Sequence, residues 1–344
     1  MSDEILFEKR GRAGFVTLNR PKALNALSQA MVRLLEEQLT RWADDREVAH
    51  VVITGSGEKA FCAGGDIRSI YDARMAGKAD GLAEFFCEEY LLNAHIKAYP
   101  KPYIALINGI VMGGGVGVSV HGSHRIGTEK TLFSMPETGI GFFPDVGGTY
   151  FLPRMPKKTG IYCALSAGRL KQADALATGV LTHAIEERSL GDVALALEGA
   201  EDVNTALAPF LVTPEKGPVT EQADLIEKLF SASSVSDILD RLDGSGDEFA
   251  RKTASAIRAK SPTSVLIAFE QMKRGTELSF NECMKLEYRI VSRILLENDF
   301  FEGIRAAVVD KDQNPAWSPT QFSQVDSATL ASYFEEPPEG DLPL

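Results

Sequence analysis

Two carboxylates in apolar surroundings are the residues of this chain best suited to acid–base or nucleophilic chemistry. Glu137 ends the run Met-Pro-Glu, and Asp145 ends the run Phe-Phe-Pro-Asp. A carboxyl group in such surroundings has a shifted pKa and can act as a base, an acid or a nucleophile. The alternative for either residue alone is a helix cap or a hydrogen bond that orders a loop. Glu88 and Glu89 raise the same question, since on a helix one of the two can face inward while the other stays solvated.

Two glycine-rich segments can offer backbone N–H groups to a ligand. Residues 61–66 contain a pair of glycines, and residues 108–117 contain a run of three. A buried strand followed by a glycine-rich turn into a helix leaves N–H groups free to bind an anion or a developing oxyanion. The competing interpretation is close packing of a helix against a strand, which also favours residues without a Cβ atom. The spacing fits neither the dinucleotide-binding fingerprint nor a phosphate loop with its lysine.

Other common catalytic patterns are absent from the sequence. The five histidines show no metal-ligand spacing, so we expect no metal site. No Gly-x-Ser-x-Gly elbow supports a serine triad. The four cysteines include no Cys-x-x-Cys pair, and Cys62 adjoins the first glycine segment without an obvious base partner. We therefore expect reduced, packed thiols.

The composition indicates a globular protein with an acidic surface. The chain has 344 residues, of which 44% are hydrophobic and 24% charged, and its formal net charge is -12. Such a charge opposes nucleic acids and anionic membranes, and the apolar runs are too short or too interrupted to span a bilayer. The first residues show neither a signal-peptide core nor an arginine-rich transit segment, so we expect a cytoplasmic location.

Strands that alternate with helices in the first half of the chain predict an α/β fold. Residues 5–8 and 15–18 are predicted to form a hairpin, and Ser28 is predicted to cap a helix with an apolar stripe. Residues 51–53 and 103–107 have the continuous apolar character of buried strands. Residues 111–120 are predicted to open a helix.

The C-terminal part is predicted to be helical from about residue 221, after a stretch punctuated by prolines. Ser261 followed by Pro262 is a typical helix start. The acidic, proline-rich residues 335–344 are predicted to be frayed.

Four motifs together resemble the crotonase superfamily of enoyl-CoA hydratases and isomerases. They are residues 21–27, similar to its CoA-contacting loop, residues 61–66 and 108–117, similar to its two oxyanion-hole segments, and residues 135–137, similar to its catalytic-glutamate segment. Further segments over nearly the whole chain are similar to the 3-hydroxyisobutyryl-CoA hydrolases of this superfamily. Among them are residues 88–90, 142–148 and 302–306.

The resemblance implies a crotonase-like spiral of ββα units over residues 1–205 and a helical region over residues 206–344. It implies an acyl-CoA thioester as substrate, no metal, and no separate cofactor, because CoA is part of the substrate. The acidic charge of the chain, rather than the resemblance, is the reason to expect neither a nucleic acid nor a membrane as a partner, and a homo-oligomer is an open expectation.

The resemblance also assigns site residues. Backbone N–H groups of Gly65 and Gly114 would hold the thioester oxygen. Glu89, Glu137 and Asp145 occupy positions that match the hydrolase active site. The residues expected near the adenine end of CoA are Lys22, Ala23, Ala63, Asp66 and Ile67.

One departure separates the hydrolases from the hydratases. Hydratases carry a second glutamate where this chain has Gly117, and adding water to a double bond needs two carboxylates around the water. We therefore predict hydrolysis of 3-hydroxyisobutyryl-CoA to 3-hydroxyisobutyrate and CoA, a step of valine breakdown in the family. Glu137 would attack the thioester carbonyl or activate water, and Asp145 would bind the substrate hydroxyl or assist proton transfer. The alternatives are a hydratase or isomerase that uses Glu137 alone, and a non-catalytic CoA-binding protein.

Overall fold

The structure is a computed structural model that describes residues 3–78 and 81–344. Within these residues the strands are β1 (Ile5–Arg10), β2 (Ala13–Leu18), β3 (His50–Gly55), β4 (Ala60–Cys62), β5 (Tyr103–Ile107), β6 (Ile110–Met112), β7 (His124–Gly127), β8 (Leu132–Ser134), β9 (Leu170–Lys171) and β10 (His183–Ala184). The α-helices are α1 (Gln29–Asp44), α2 (Ile67–Met75), α3 (Leu82–Lys97), α4 (Gly114–Gly117), α5 (Gly148–Phe151), α6 (Thr159–Ser166), α7 (Gln172–Ala177), α8 (Leu190–Glu198), α9 (Val203–Leu207), α10 (Pro218–Glu221), α11 (Ala223–Phe230), α12 (Val235–Gly244), α13 (Glu248–Arg258), α14 (Pro262–Gly275), α15 (Phe280–Ile294), α16 (Asp299–Ile304) and α17 (Ser327–Ser332).

The chain divides into two compact units, each built from three segments. The first unit comprises Met1–Gly65, Leu92–Phe133 and Leu170–Glu221, and the second comprises Asp66–Leu91, Ser134–Arg169 and Gln222–Leu344. The first unit contains nearly all of the β-structure, and the described part of the second is mainly helical. The predicted division into residues 1–205 and 206–344 stays a prediction.

Two sheets organise the first unit. One has six strands in the order β1-β2-β3-β5-β7-β10, and the other has four in the order β4-β6-β8-β9. In the larger sheet β1 is antiparallel to β2, whereas β2, β3, β5, β7 and β10 run parallel to one another. Parallel neighbours need crossover connections, which explains why helices separate these strands in sequence. Val52, Ile104 and Ile126 of this sheet pack with Val193 and Leu197 of α8 in a buried apolar cluster.

Locally encoded elements form where the sequence predicts them. β1 and β2 form the predicted hairpin, with Arg10 paired to Ala13, so its turn is tighter than expected. The Ser28 side chain accepts a hydrogen bond from the Met31 N–H and begins α1. Ser261 caps α14 in the same way, with a proline at its first position. These predictions are confirmed because each depends on contacts within a few residues.

The prediction that residues 111–120 open a helix is only half right. Residues 110–112 form β6, which pairs in parallel with β4, and α4 extends only from Gly114 to Gly117. The partner strand lies about fifty residues earlier in the chain, so the local apolar and glycine content could not reveal it.

The predicted fraying of the C-terminal tail is wrong. The Arg289 guanidinium binds both carboxylate oxygens of Asp341, with an Nε–Oδ1 distance of 2.7 Å. Leu342 is only 1% exposed, so an apolar anchor and an ion pair both fix the tail within the second unit. The acidic and proline-rich composition of the tail gave no indication that Leu342 would be buried.

The buried leucine of the tail gives a stability prediction. Leu342→Ala removes a buried side chain and should lower the free energy of unfolding by about 2–3 kcal/mol. Leu344, two residues later, is 37% exposed, and Leu344→Ala should change it by less than about 0.5 kcal/mol. Denaturant unfolding of both variants beside the wild type measures this, and equal small effects would show that the tail does not anchor.

Candidate active site

Three of the predicted site carboxylates lie in the second unit. Glu89 lies on the first part of α3, Glu137 begins a 3-10 turn that ends at Ile140, and Asp145 lies in the loop before α5. All three side chains are buried, with relative exposures of 2%, 5% and 4% in that order. Glu88 is only partly buried, so of the two adjacent glutamates Glu89 faces inward.

The hydrogen bonds of these carboxylates are incomplete. The Tyr90 hydroxyl donates to Asp145 Oδ2 over 2.9 Å. Within the described residues, Glu89 Oε1 and Glu137 Oε2 are buried without a hydrogen-bond partner. Buried polar atoms are nearly always satisfied in folded proteins, and exceptions concentrate at functional sites. These two oxygens are therefore candidates for hydrogen bonds with a ligand.

Burial and mutual repulsion change the ionisation of this cluster. Burial raises the pKa of Glu137 well above its usual value, and the charge of Asp145 raises it further. The same two causes, in the same order, raise the pKa of Glu89. Burial also raises the pKa of Asp145 to about 7, although the hydrogen bond from Tyr90 opposes that change. Carboxyl groups with pKa values moved toward neutrality are suited to proton transfer at physiological pH.

Two residues beside the cluster were not found from the sequence. Tyr90 is fully buried, and its hydroxyl donates a hydrogen bond to Asp145. Its position next to Glu89 in the sequence was a signal that could have identified it. Glu287 lies on α15 and accepts hydrogen bonds from the backbone N–H groups of Gly147 and Thr149, both over 2.8 Å. A glutamate in the apolar stripe of a helix was the signal for the second residue, because an acidic group rarely faces a core without a specific partner.

The first unit contains the two glycine segments, and it brings them together. A Cβ atom on Gly64 would lie 3.5 Å from the Met112 carbonyl oxygen and 3.9 Å from the Gly114 nitrogen. Gly64 has a φ of +121°, a conformation that residues with a Cβ rarely adopt. Gly114 is the first residue of α4, where a backbone N–H has no acceptor within the helix. Gly65 directly follows this contact and pairs with Leu27 in an isolated parallel bridge.

Close packing of a helix against a strand, the competing explanation for the glycine-rich segments, applies to Gly115. A Cβ on Gly115 would lie 2.3 Å from the Cys62 carbonyl oxygen, which no side chain could accommodate. Gly115 is therefore required where α4 packs against the end of β4, and Cys62 is a buried free thiol of that contact. The neighbouring Gly114 is the residue whose N–H is available by position.

Three of the five predicted CoA contacts lie in the first unit. Lys22 and Ala23 lie in an exposed 3-10 turn, and the Ala63 N–H donates to the Leu24 carbonyl over 3.0 Å. The buried amide of Asn25 fixes this loop, since it donates to the carbonyls of Ser56 and Ala60, both over 2.9 Å.

A groove of about 450 Å³ lies along this loop in the first unit. It is lined by Pro21, Lys22, Leu24, Asn25, Ser56, Gly57, Glu58, Lys59 and Ala60. Its lining carries two lysines and one glutamate, Glu58, so its formal charge is positive although the chain as a whole is acidic.

The remaining two predicted contacts belong to the second unit. Asp66 is the N-cap of α2 and accepts from the Ser69 N–H over 3.3 Å, and Ile67 is the first residue of that helix. The role visible for Asp66 is therefore that of a helix cap. Its predicted contact with CoA stays a prediction.

The described residues contain neither a metal-binding cluster nor a membrane-spanning helix. In residues 3–78 and 81–344, no group of three or more His, Cys, Asp or Glu side chains is arranged to hold a metal ion. None of the helices in the same ranges combines the length and apolar character that crossing a bilayer requires.

Comparison with known proteins identifies the family to which this chain belongs. The family's sequence model, described as enoyl-CoA hydratase/isomerase, matches residues 13–334, and the chain belongs to this family. Among its relatives, the mitochondrial 3-hydroxyisobutyryl-CoA hydrolase of Danio rerio is 46% identical over 99% of this chain and 92% of its own length. The mitochondrial 3-hydroxyisobutyryl-CoA hydrolase of Homo sapiens is 42% identical over 99% of this chain and 91% of its own length.

Solved structures confirm the predicted crotonase-like α/β fold with its C-terminal helices. A carnitinyl-CoA dehydratase from Mycobacterium thermoresistibile matches with a TM-score of 0.94 and 38% identity, covering 98% of each chain. An enoyl-CoA hydratase from Rhodobacter sphaeroides matches with a TM-score of 0.93 and 38% identity, covering 99% of this chain and all of the other.

The predicted cytoplasmic location is wrong by this comparison. The hydrolases of fish, frog, bird and mammal that match this chain are all named as mitochondrial proteins. The expectation depended on the missing transit-like pattern in the first residues, and that pattern does not decide location. The oligomeric state stays a prediction.

The raised pKa of Glu89 gives a prediction about stability. Its ordinary value is 4.5, so between that pH and the raised value the folded protein keeps a proton that the unfolded chain has lost. Stability therefore falls as the pH rises through this range. Glu89→Gln removes the ionisable group and should make the protein more stable than wild type at pH 8 by about 1 kcal/mol or more. The difference should shrink toward pH 4.5.

Thermal and denaturant unfolding between pH 4.5 and 8 measure this effect. Glu88→Gln is the matched control, because it makes the same change at the adjacent, partly exposed position, and it should follow the wild type. A Glu89→Gln protein that is less stable than wild type at pH 8 would contradict the predicted cost of the buried carboxylate.

Proposed function

We propose that this protein hydrolyses the thioester of 3-hydroxyisobutyryl-CoA to 3-hydroxyisobutyrate and CoA, and so acts in valine breakdown. The observation that carries the proposal is the buried carboxylate cluster, in which Glu137 and Glu89 keep unpartnered oxygens beside Asp145. The mitochondrial 3-hydroxyisobutyryl-CoA hydrolases support it, since they match over nearly the full chain at 42–46% identity.

Glu137 is proposed to act on the thioester carbonyl. As a base it takes a proton from water while the water oxygen bonds to the carbonyl carbon. The C–S bond then breaks, and the departing thiolate receives the proton. As a nucleophile its carboxylate oxygen would instead bond to the carbonyl carbon and expel the CoA thiolate, which takes up a proton. Water would then hydrolyse the mixed anhydride and regenerate the Glu137 carboxylate. The raised pKa of Glu137 suits either route, because a more basic carboxylate is both a better proton acceptor and a better nucleophile.

Asp145 and Glu89 are proposed to bind the hydroxyl of the acyl group. Tyr90 holds one oxygen of Asp145, which fixes the orientation of the carboxylate. A site built to accept a substrate hydroxyl discriminates strongly against the analogue without it, because the buried polar groups then stay unpaired. Asp145, with its pKa of about 7, is also suited to pass a proton during the reaction.

Gly65 and Gly114 are proposed to stabilise the negative charge on the thioester oxygen as the tetrahedral species forms. Their contribution would come from backbone N–H groups, each worth about 3–4 kcal/mol in comparable sites. The position of Gly114 at the start of α4 and the approach of Gly64 to it support this assignment.

The groove beside the 21–23 turn is proposed to take the adenine end of CoA together with its phosphates. Lys22 and Lys59 line it, and two lysines suit the phosphates of CoA as point charges. No cofactor besides the CoA of the substrate is needed in this reaction, and the proposal includes none.

A hydratase is the second candidate, because the two solved relatives at 38% identity are named as a dehydratase and a hydratase. Gly117 argues against it, since it lies within the buried helix α4 where hydratases are expected to carry their second glutamate. A third alternative, a CoA-binding protein without activity, would not need the costly burial of several carboxyl groups.

Free-thiol release across acyl-CoA substrates tests the proposal. The wild type should release CoA from 3-hydroxyisobutyryl-CoA, release it from isobutyryl-CoA at least about a hundredfold less efficiently, and leave crotonyl-CoA unhydrated. Glu137→Gln should lower thiol release by at least about a thousandfold while CoA-thioester binding, measured by calorimetry, stays within a few fold.

Glu88→Gln serves as the control, and its turnover should match the wild type. Rapid hydration of crotonyl-CoA without thiol release would replace the hydrolase with the hydratase. Full hydrolysis by Glu137→Gln would show that Glu137 is not the catalytic carboxylate.

A further inference from the structure

Glu287 is a buried glutamate with no role in the proposed reaction. It lies on α15 with no exposed surface, on a helix face that also buries Met284, Ile290, Val291 and Ile294. An acidic side chain in such surroundings destabilises a fold unless its oxygens are hydrogen-bonded. Its place in the core therefore requires specific partners.

Those partners are main-chain groups of the loop that follows Asp145. Glu287 Oε2 accepts from the Gly147 N–H and Oε1 accepts from the Thr149 N–H, both over 2.8 Å. The two oxygens thus bind N–H groups two residues apart, which fixes the direction of the loop as well as its position. Burial raises the pKa of Glu287 to about 8, and the hydrogen bonds from the loop oppose that rise.

The same loop is also held from α14. The Gln271 amide nitrogen donates to the Pro144 carbonyl and to Thr149 Oγ1, both over 2.6 Å. Asp145 lies between these two attachment points. The C-terminal helices α14 and α15 therefore fix the backbone on both sides of Asp145.

The loop needs such restraint because its backbone is strained. Val146 has a φ of +49°, and Gly147 has a φ of +87°. A β-branched residue strongly disfavours this left-handed region, and such a conformation persists only where surrounding contacts enforce it. The strained residue directly follows Asp145, so relaxation of the loop would move the Asp145 carboxylate.

We propose that Glu287 is a positioning residue, which holds the 145–149 loop in its strained conformation and thereby fixes the Asp145 carboxylate for the substrate hydroxyl. The catalytic consequence rests on the proposed function, whereas the restraint of the loop does not. Glu287 does not itself touch substrate in this proposal. It acts through the Gly147 and Thr149 N–H groups, and Tyr90 completes the orientation of Asp145.

Glu287→Gln is the direct test. The amide keeps the side-chain length but supplies one acceptor oxygen in place of two, so one of the two loop N–H groups faces an NH₂ group. The ratio of kcat/KM for 3-hydroxyisobutyryl-CoA to that for isobutyryl-CoA should fall at least about tenfold. This ratio is taken within one preparation, so a loss of folded enzyme lowers both values and leaves it unchanged.

Amide hydrogen exchange provides a readout that is independent of activity. Exchange in peptides covering residues 144–151 should be faster in Glu287→Gln by at least about tenfold than in the wild type. Glu282→Gln is the matched control on the same helix. That carboxylate also accepts a backbone N–H, from Ser279 over 2.8 Å, but at the exposed helix start. It should leave both the ratio and the exchange rates unchanged.

Glu287→Asp keeps both acceptor oxygens one methylene farther from the loop, and it provides a second variant if Glu287→Gln does not fold. It should lower the ratio less than the glutamine does.

A folded Glu287→Gln protein with the wild-type ratio would overturn the proposal, whether or not the loop exchanges faster. A wild type that releases no CoA from either thioester would refute the proposed function instead. The exchange rates would then decide separately whether Glu287 holds the loop.

Discussion

The shared burial of several carboxyl groups is the constraint on which the function of this protein depends. Glu89, Glu137 and Asp145 lie in the interior of the second unit. Burial raises the pKa of all three, and the charge of Asp145 raises the pKa of Glu89 and Glu137 further. Such a cluster destabilises the fold, so its retention requires compensating contacts. Tyr90 supplies one through its hydroxyl. The helices after residue 222 supply others, because Glu287 and Gln271 bind the loop that carries Asp145.

The first unit meets a different constraint, which is the close approach of backbone to backbone. Gly115 packs so tightly against the Cys62 carbonyl that no side chain fits, whereas the neighbouring Gly114 has the N–H at the helix start. The two interpretations of a glycine-rich segment, packing and anion binding, therefore apply to adjacent residues. The close contact of Gly115 with Cys62 fixes the start of α4, and the position of that helix start determines where the Gly114 N–H lies.

The parts of the structure that could be predicted from the sequence are those that local contacts determine. The strand at Tyr103–Ile107 and the caps at Ser28 and Ser261 formed as expected, because their signals lie within one turn or one strand. β6 and the docked tail were missed, because β6 depends on a distant strand and the tail on its contact with Arg289.

The same division applies to the candidate site. The sequence identified Glu137 and Asp145 as unusual acids, and the family resemblance pointed to Glu89, which is the buried member of its pair with Glu88. It did not identify Glu287, since the N–H groups that this residue binds lie 138 and 140 positions away in the chain. A polar residue within an apolar helical stripe was visible, but its partner was not.

The pH dependence of kcat/KM for 3-hydroxyisobutyryl-CoA tests the central claim, that buried and mutually repelling carboxyl groups perform the reaction. Burial raises the pKa of Asp145 to about 7 and raises that of Glu137 in the same direction. Because an anionic carboxylate must accept the proton, activity should rise with pH along a limb centred above the range of about pH 4 to 5 in which exposed carboxyl groups titrate. A limb centred between about pH 4 and 5, where exposed carboxyl groups titrate, would contradict the account.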